Sequence, residues 1–299
     1  MTHRQEGKQI MQRPMDFNAF FHSGAQNQLD TLIGLALQED GQDLTSRALF
    51  SPHDKCSAVI TAKQDTLVAG LPLMRLVLGR IPGEGRATPL VREGSRVSAK
   101  TAVAQIRGNT CKILQAERII LNFMARLSGI ANLTRAYIRK IEDTNVKLLD
   151  TRKTTPGHRH LEKYAARLGG GMNHRMDLEE MLMLKDNHID QAGSIELAVR
   201  ALRNTYQSCP PIEVECRSID DVREAVRAGS DRIMLDNMGI DEMRSALKIT
   251  IDGEVESEIS GGVNLDNVRE LALLGPTFIS VGALTHSAVA ADFSMSMDI

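Results

Sequence analysis

The chain has 299 residues and a formal net charge of −2, and 42% of its residues are hydrophobic and 25% are charged. This composition is typical of a globular protein and excludes a disordered or collagen-like chain. The length predicts two domains, or one α/β barrel with an extension. The chain has no basic surplus, 3% aromatic residues and no Trp, so we expect no nucleic-acid partner.

The cysteines and the apolar segments predict the compartment. Four cysteines without a C-x-x-C pair indicate reduced thiols rather than a disulfide framework. No window contains the ~18 uninterrupted apolar residues of a membrane helix, and the first residues, MTHRQEGKQIMQRP, lack the apolar core of a secretory signal. We therefore expect a cytoplasmic protein with no membrane partner.

The first third of the chain predicts an α+β domain. Residues 27–38 (NQLDTLIGLALQ) have helical spacing, and the β-rich runs SAVITA, TLVAG and RVSAKTAVAQIRG follow them. This order favours a small, largely antiparallel sheet. Residues 111–140 are again helical in pattern, and Ser128-Gly129 in their middle predicts a break into two helices.

From residue 146 onwards, strand-like runs alternate with amphipathic segments. The runs cover 146–150, 181–186, 212–216, 232–236, 255–260 and 278–282. Strands that alternate with helices predict a parallel sheet, and the short repeat favours a barrel. In such a barrel the carboxyl ends of the strands form the active-site face. We expect the polar residues that end these runs to meet there.

The segment 152–175 (RKTTPGHRHLEKYAARLGGGMNHR) predicts a site for an anionic ligand. It holds six Lys or Arg against one acid, Glu162, and arginine pairs well with carboxylate or phosphate. The alternative is a solvated charged helix face. That alternative suits Glu162, Lys163 and Arg167, but it does not suit Arg152 and Lys153, which follow an apolar strand.

Acidic and glycine-rich strand ends complete the predicted site. We expect only one of Glu213 and Glu215 to face the barrel interior. Glu215 and Asp236 could hold Mg²⁺ through water and substrate, or they could act as a general acid/base pair. The third alternative is a buried pair that compensates the charge of Lys185. The turns ISGGVN (259–264) and SVGALT (280–285) predict a phosphate cradle. Together these features favour a phosphorylated sugar and a second anionic reactant.

Several motifs carry a resemblance to a known family. The segments DTRKTTPG, GGGMNHR, KDNHI, EVE, IMLDN, ISGGVN and ISVGALTHS resemble those of quinolinate phosphoribosyltransferases, in order over about 30–290. AERIILNFMARLSGIA (116–131) resembles the helix that donates an arginine across the dimer in that family. The resemblance implies transfer of phosphoribosyl from phosphoribosyl pyrophosphate to quinolinate with decarboxylation. The products are nicotinate mononucleotide, pyrophosphate and CO₂, and the cofactor is Mg²⁺.

The resemblance also implies an architecture. We expect an N-terminal α/β sandwich over 16–128, an incomplete α/β barrel of the type II phosphoribosyltransferase kind over 129–288, and a C-terminal tail over 289–299. Two chains would pair so that one sandwich caps the partner's barrel. Arg118 would then reach the partner's site.

The same resemblance assigns roles to residues. Arg118, Arg152, His174 and Arg175 would hold the carboxylates of quinolinate. Lys153 and Lys185 would lie between quinolinate and the pyrophosphate, and Glu215 and Asp236 would hold the ribose hydroxyls and Mg²⁺. Thr151 is a further substrate-binding residue. Lys153, Lys185, Glu215 and Asp236 are the catalytic candidates. The 5′-phosphate would lie against Ser260, Gly261, Gly262, Ser280 and Gly282.

Three other functions are compatible with parts of this pattern. A relative could use nicotinate, which has one carboxylate and needs fewer arginines, or serve in metal transport. An aldolase-like lyase would use Lys185 as a Schiff base, which borohydride trapping would reveal. A non-catalytic nucleotide-binding or scaffold protein is the third, and an assay separates it from the others.

Overall fold

The computed structural model describes residues 16–22 and 24–298. The N-terminal part begins with three helices and continues as strands around one further helix. These elements are α1 (Phe17–Phe20), α2 (Gly24–Asp40), α3 (Leu44–Leu49), β1 (Lys55–Ala62), β2 (Thr66–Leu67), α4 (Leu71–Arg80), β3 (Gly85–Pro89), β4 (Arg96–Val97) and β5 (Ala102–Asn109).

A long helix leads into the second part, in which strands and helices alternate. Its elements are α5 (Thr110–Ile141), β6 (Lys147–Leu149), α6 (Arg159–Leu168), β7 (Leu182–Leu184), α7 (Asp186–Ala192), α8 (Ile195–Thr205), β8 (Ile212–Cys216), α9 (Ile219–Ala228), β9 (Arg232–Asp236), α10 (Ile240–Asp252), β10 (Glu256–Ser260), α11 (Val268–Ala272), β11 (Phe278–Ser280), α12 (Ala283–His286) and β12 (Phe293–Asp298).

The first sheet is antiparallel, as predicted, with strand order β12-β1-β5-β3. Alternate residues of β1, such as Ala58 and Ile60, are fully buried in the N-terminal core, to which α2, α4 and α5 also contribute. The predicted tail contains β12, which pairs with β1 through Val59 and Ser296. The chain therefore returns to its first domain after the barrel.

The second sheet is parallel, with order β6-β11-β10-β9-β8-β7. Its edge strands β6 and β7 do not pair with each other in the described part of the chain, and Met172 adds one bridge beside Leu149. The barrel is thus incomplete, as expected. Apolar residues such as Val214 and Leu235 face the helices. The intervening residues of these strands face the interior and are available for chemistry.

The predicted break in the long helix does not occur, because α5 is continuous over 32 residues. Gly129 has a packing role instead. A Cβ atom on Gly129 would lie 2.1 Å from the carbonyl oxygen of Val289. The glycine therefore lets the chain after the barrel cross α5 closely on its way to β12.

Replacement of Gly129 by alanine tests this close crossing. We expect Gly129→Ala to destabilise the protein by ~1–3 kcal/mol, since an added methyl group forces the crossing backbone to move. Gly34 lies inside α2, and no described residue lies near its Cβ position, so Gly34→Ala should stabilise by about 0.5–1 kcal/mol. Urea denaturation measures both, and equal effects of the two variants would contradict the assignment.

Candidate active site

A cavity of about 530 Å³ opens at the carboxyl ends of the barrel strands. Every predicted site residue lines it except Arg118 and Gly282. The lining consists of Thr151, Arg152, Lys153, His174, Arg175, Met183, Lys185, Glu215, Met234, Asp236, Asn237, Glu258, Ser260, Gly261, Gly262 and Ser280. Gly282 is outside this lining but packs against the side chain of Lys153, which is part of it. Arg118 is exposed on α5.

Cations line one side of the cavity, but only part of the basic segment contributes. Arg152, Lys153 and Arg175 line it. Arg159 instead donates hydrogen bonds to Thr154 Oγ1 (3.2 Å) and to the carbonyl of Met176 (3.1 Å). The anion-binding part of this segment is therefore its two ends, which the fold brings together.

The middle of the basic segment is buried, so the prediction of a solvated helix face is wrong for Glu162 and Lys163. Both side chains are 0% exposed. Glu162 accepts hydrogen bonds from Arg126 of α5 and from Thr155. These contacts join the long helix to the loop that carries Arg152 and Lys153.

A buried ion pair supports the loop that holds the substrate-facing residues. Lys163 pairs with Asp150 at the end of β6 and donates to the carbonyl of His174 at 2.9 Å. Asp150 also accepts from the backbone N–H of His174 (2.9 Å) and from Asn173 Nδ2 (2.6 Å). Neighbouring Arg175 donates to the carbonyl of Met181 at 2.8 Å. The ion pair therefore fixes where His174 and Arg175 stand.

The contacts of His174 define its tautomer. Its Nδ1 accepts the backbone N–H of Arg175 at 2.7 Å, so the ring proton lies on Nε2. Burial lowers the pKa of His174, which keeps the ring neutral. The Nε2–H has no well-aligned partner among the described side chains. It is available to a ligand carboxylate.

Carboxylates of β8 and β9 also line the cavity. Glu215 is the penultimate residue of β8 and lies 3.5 Å from Lys185 Nζ, and Asp236 ends β9 and accepts from Asn237 Nδ2 at 2.7 Å. The expectation that only one of Glu213 and Glu215 faces the interior is wrong. Residues two apart on a strand share a face, and Glu213 reaches His174 Nε2 at 3.1 Å inside the barrel.

The loop after β10 has the close backbone approach that a phosphate cradle needs. Gly261 and Gly262 both have left-handed backbones, with φ of 92° and 62°. A Cβ on Gly261 would lie 2.2 Å from Asn237 Oδ1, so only glycine fits. Ser280 at the end of β11 is buried beside this loop. The cradle, the carboxylates and the cations therefore share one cavity.

Sequence reasoning missed four lining residues and one behind them. Met183, Met234, Asn237 and Glu258 line the cavity, and Glu213 lies deeper. A signal was present for all of them except Asn237. Each of the other four precedes a predicted residue by two positions, and period-two geometry places both on the same interior face: Met183 before Lys185, Glu213 before Glu215, Met234 before Asp236 and Glu258 before Ser260.

None of the helices within residues 16–22 and 24–298 has the length and hydrophobicity of a membrane-spanning helix.

Comparison with known families matches residues 43–128 to the N-terminal domain of quinolinate phosphoribosyl transferase and residues 130–296 to its C-terminal domain. Both halves of the chain therefore match one family, in the expected order.

Individual relatives give the same result. A Bacillus subtilis protein named as a probable nicotinate-nucleotide pyrophosphorylase (carboxylating) is 38% identical over 86% of this chain and 88% of its own length. NadC from Streptococcus pyogenes superimposes with a TM-score of 0.87 at 36% identity, over 93% of this chain and 99% of that one. The Francisella tularensis nicotinate-nucleotide pyrophosphorylase gives a TM-score of 0.88 at 33% identity, over 95% and 100%. The chain is a member of the quinolinate phosphoribosyltransferase family.

Proposed function

We propose that this protein transfers phosphoribosyl from phosphoribosyl pyrophosphate to quinolinate, with decarboxylation, and so makes nicotinate mononucleotide for NAD biosynthesis. One observation carries the proposal. A single cavity combines a cationic side, a carboxylate pair and a glycine-rich loop. These are the three environments that a dicarboxylate, a ribose with metal, and a phosphate require.

The cationic side fits quinolinate. Arg152 and Arg175 offer planar guanidinium groups, and His174 offers a neutral N–H, to two carboxylates of one ring. Met183 and Met234 supply apolar surface for the ring. A monocarboxylate such as nicotinate would leave part of this cationic set unpaired, which favours quinolinate as the substrate.

The carboxylate side fits ribose and Mg²⁺. The side chain of Glu215 is 16% exposed, and Glu215 and Asp236 line the cavity at neighbouring strand ends. Oxygen donors of this kind suit Mg²⁺ that retains several waters. When bound, Mg²⁺ would neutralise charge on the departing pyrophosphate. Lys153 and Lys185 would add fixed positive charge beside the same leaving group.

The chemistry then follows from placement and electrostatics. The pyridine nitrogen attacks the anomeric carbon as pyrophosphate leaves, and the ribose passes through an oxocarbenium-like state that Glu215 and Asp236 stabilise. The pyridinium formed in this way withdraws electrons from the adjacent carboxylate and promotes its loss as CO₂. No covalent enzyme intermediate is needed.

The lyase alternative lacks support from the site. A Schiff-base lysine must be neutral to attack a carbonyl, and such lysines are usually desolvated. The side chain of Lys185 is half exposed and lies 3.5 Å from Glu215. It is therefore not desolvated as a Schiff-base lysine would be, and its position suits a contact with pyrophosphate.

A direct assay tests the proposed reaction. Quinolinate, phosphoribosyl pyrophosphate and Mg²⁺ should give nicotinate mononucleotide and CO₂, resolved by chromatography, and excess EDTA should stop the reaction. Nicotinate in place of quinolinate should give little product. Turnover with nicotinate alone would reassign the cationic side, and no turnover with either acid would reject the proposal.

We also propose that the protein works as a homodimer in the cytoplasm, with Arg118 donated across the interface. Arg118 is exposed and lies outside the cavity lining of its own chain, so a second copy would have to bring it to quinolinate. The four cysteines are free, as expected in a reducing compartment.

Complementation between two inactive variants tests the shared site. Arg118→Ala and Asp236→Asn should each be nearly inactive alone. Co-expressed chains should regain about a quarter of the wild-type activity, because random pairing makes half of all dimers mixed and each mixed dimer has one intact site of two. Failure of the mixture to regain activity, although mixed dimers form, would show that Arg118 acts within its own chain or not at all.

A further inference from the structure

We propose that Glu258 donates the proton that replaces the departing carboxylate, and so acts as a general acid in the second half of the reaction. This inference rests on the proposed function. Loss of CO₂ leaves the bonding electron pair on the ring carbon next to the pyridinium nitrogen. That carbon must receive a proton before nicotinate mononucleotide is complete.

The position of Glu258 makes it a candidate for this step. It lies in the middle of β10, two residues before Ser260, and its side chain lines the cavity from the barrel interior. The residue is 0% exposed. Within residues 16–22 and 24–298, neither of its carboxyl oxygens has a well-formed hydrogen bond. An ionised carboxylate in such a place is costly, so the acid form, with an O–H to give, is favoured.

The groups around Glu258 also favour the protonated, acid form of its carboxyl group. Glu213 of β8 is equally buried, and its carboxyl oxygens also have no well-formed hydrogen bond to any described residue. Two neighbouring buried carboxyls do not both ionise readily. Burial and the nearby Glu213 raise the pKa of Glu258 to about 8. His174 Nε2 (3.5 Å) and Arg232 Nη1 (3.6 Å) approach Glu258 Oε2, and Ser280 lies on the neighbouring strand.

The same three groups resemble a metal-binding set, because ligand atoms of His174, Glu213 and Glu258 lie within 4.8 Å of one another. The histidine contacts argue against a metal. Nδ1 of His174 accepts an N–H, so Nε2 carries the ring proton and has no free electron pair for a metal ion. Arg232 also brings a positive charge to Glu258. The cluster is therefore suited to hold a proton.

The step balances as a simple proton transfer. The bond from the ring carbon to the carboxylate breaks, CO₂ leaves, and the electron pair stays on the carbon beside the positive nitrogen. That pair takes the proton of the Glu258 carboxyl group. The Glu258 carboxylate that remains is stabilised by the positive charge of the Arg232 guanidinium, 3.6 Å away. Solvent water returns a proton to Glu258 after the product leaves.

Single-turnover kinetics of Glu258→Gln test the proposal, with pyrophosphate and nicotinate mononucleotide followed separately. The amide keeps the size and neutrality of the acid but is a very weak proton donor. We expect pyrophosphate to appear at nearly the wild-type rate and nicotinate mononucleotide to appear about 10²-fold more slowly or worse. Quinolinate mononucleotide should accumulate between the two.

Two further variants make the experiment specific. Glu258→Asp retains an acid and should recover part of the second step, and it serves as the test variant if Glu258→Gln does not fold. Glu270 lies on α11, is exposed and is outside the cavity lining. Glu270→Gln should alter neither step.

The outcomes separate this proposal from the proposed function. A wild-type protein that makes no nicotinate mononucleotide overturns both. If the wild type is active, equal slowing of the two products in Glu258→Gln would assign the residue to binding or folding. An unchanged rate of nicotinate mononucleotide formation would show that another group or water supplies the proton.

Discussion

Replacing Asp150 by asparagine should destabilise the protein by about 3–5 kcal/mol, because it leaves a buried lysine without its counter-charge. Asp150 and Lys163 are both 0% exposed. The carboxylate of Asp150 also holds the backbone of His174 and the side chain of Asn173. We therefore expect a large fall in the urea midpoint and, in any protein that stays folded, weaker quinolinate binding.

A matched variant distinguishes the effect of losing a buried ion pair on stability from the effect of losing an exposed one. Asp143 forms a bidentate ion pair with Arg269 at the surface, where both side chains are about half exposed. Exposed pairs of this kind contribute little to stability, so Asp143→Asn should leave the urea midpoint nearly unchanged. Similar shifts in the two variants would mean that burial is not the source of the Asp150 effect.

Replacing Arg175 by alanine should raise the KM for quinolinate by about 10- to 150-fold, since a hydrogen bond to a charged group contributes roughly 1.5–3 kcal/mol. The KM for phosphoribosyl pyrophosphate should change much less. Arg175 lines the cavity, where it donates to the carbonyl of Met181 and lies beside Met183 Sδ, and it forms no hydrogen bond to the carboxylate pair or the loop after β10 among the described residues. Steady-state kinetics with each substrate varied in turn measures both constants.

A surface arginine provides the control for this prediction. Arg223 lies on α9 and pairs with Asp220 outside the cavity, so Arg223→Ala should leave both KM values unchanged. Arg175→Lys keeps the charge but loses the planar fork, and we expect an intermediate KM. Equal loss of affinity for both substrates in Arg175→Ala would remove this residue from the quinolinate side.

The strand ends show why much of the site could be predicted. Asp236 and Lys185 follow apolar runs directly, and parallel strands bring their carboxyl ends to one face. The local sequence pattern and the topology of a parallel sheet were therefore sufficient to predict that these two residues belong to the site. Glu258 was missed because it lies inside its strand, whereas only the residues at the ends of the strands were considered as site candidates.

The fate of the basic segment could not be predicted from its composition. Arg152 and Lys163 are both cations in one stretch, yet one lines the cavity and the other is completely buried. Which of them meets solvent depends on how α6 packs against β6 and α5. Sequence pattern contains no direct information about those partners.

The class of fold, the family and the face of the barrel that carries the chemistry could all be predicted from the amino-acid sequence. These follow from periodicity and motif order, which are local properties of the chain. Three features became evident only in the folded chain: the close crossing at Gly129, the pairing of β12 with the first sheet, and the contacts of Glu213 and Glu258 with His174. Contacts between residues far apart in the chain depend on packing and burial in three dimensions, and burial also decides whether a carboxyl group holds its proton.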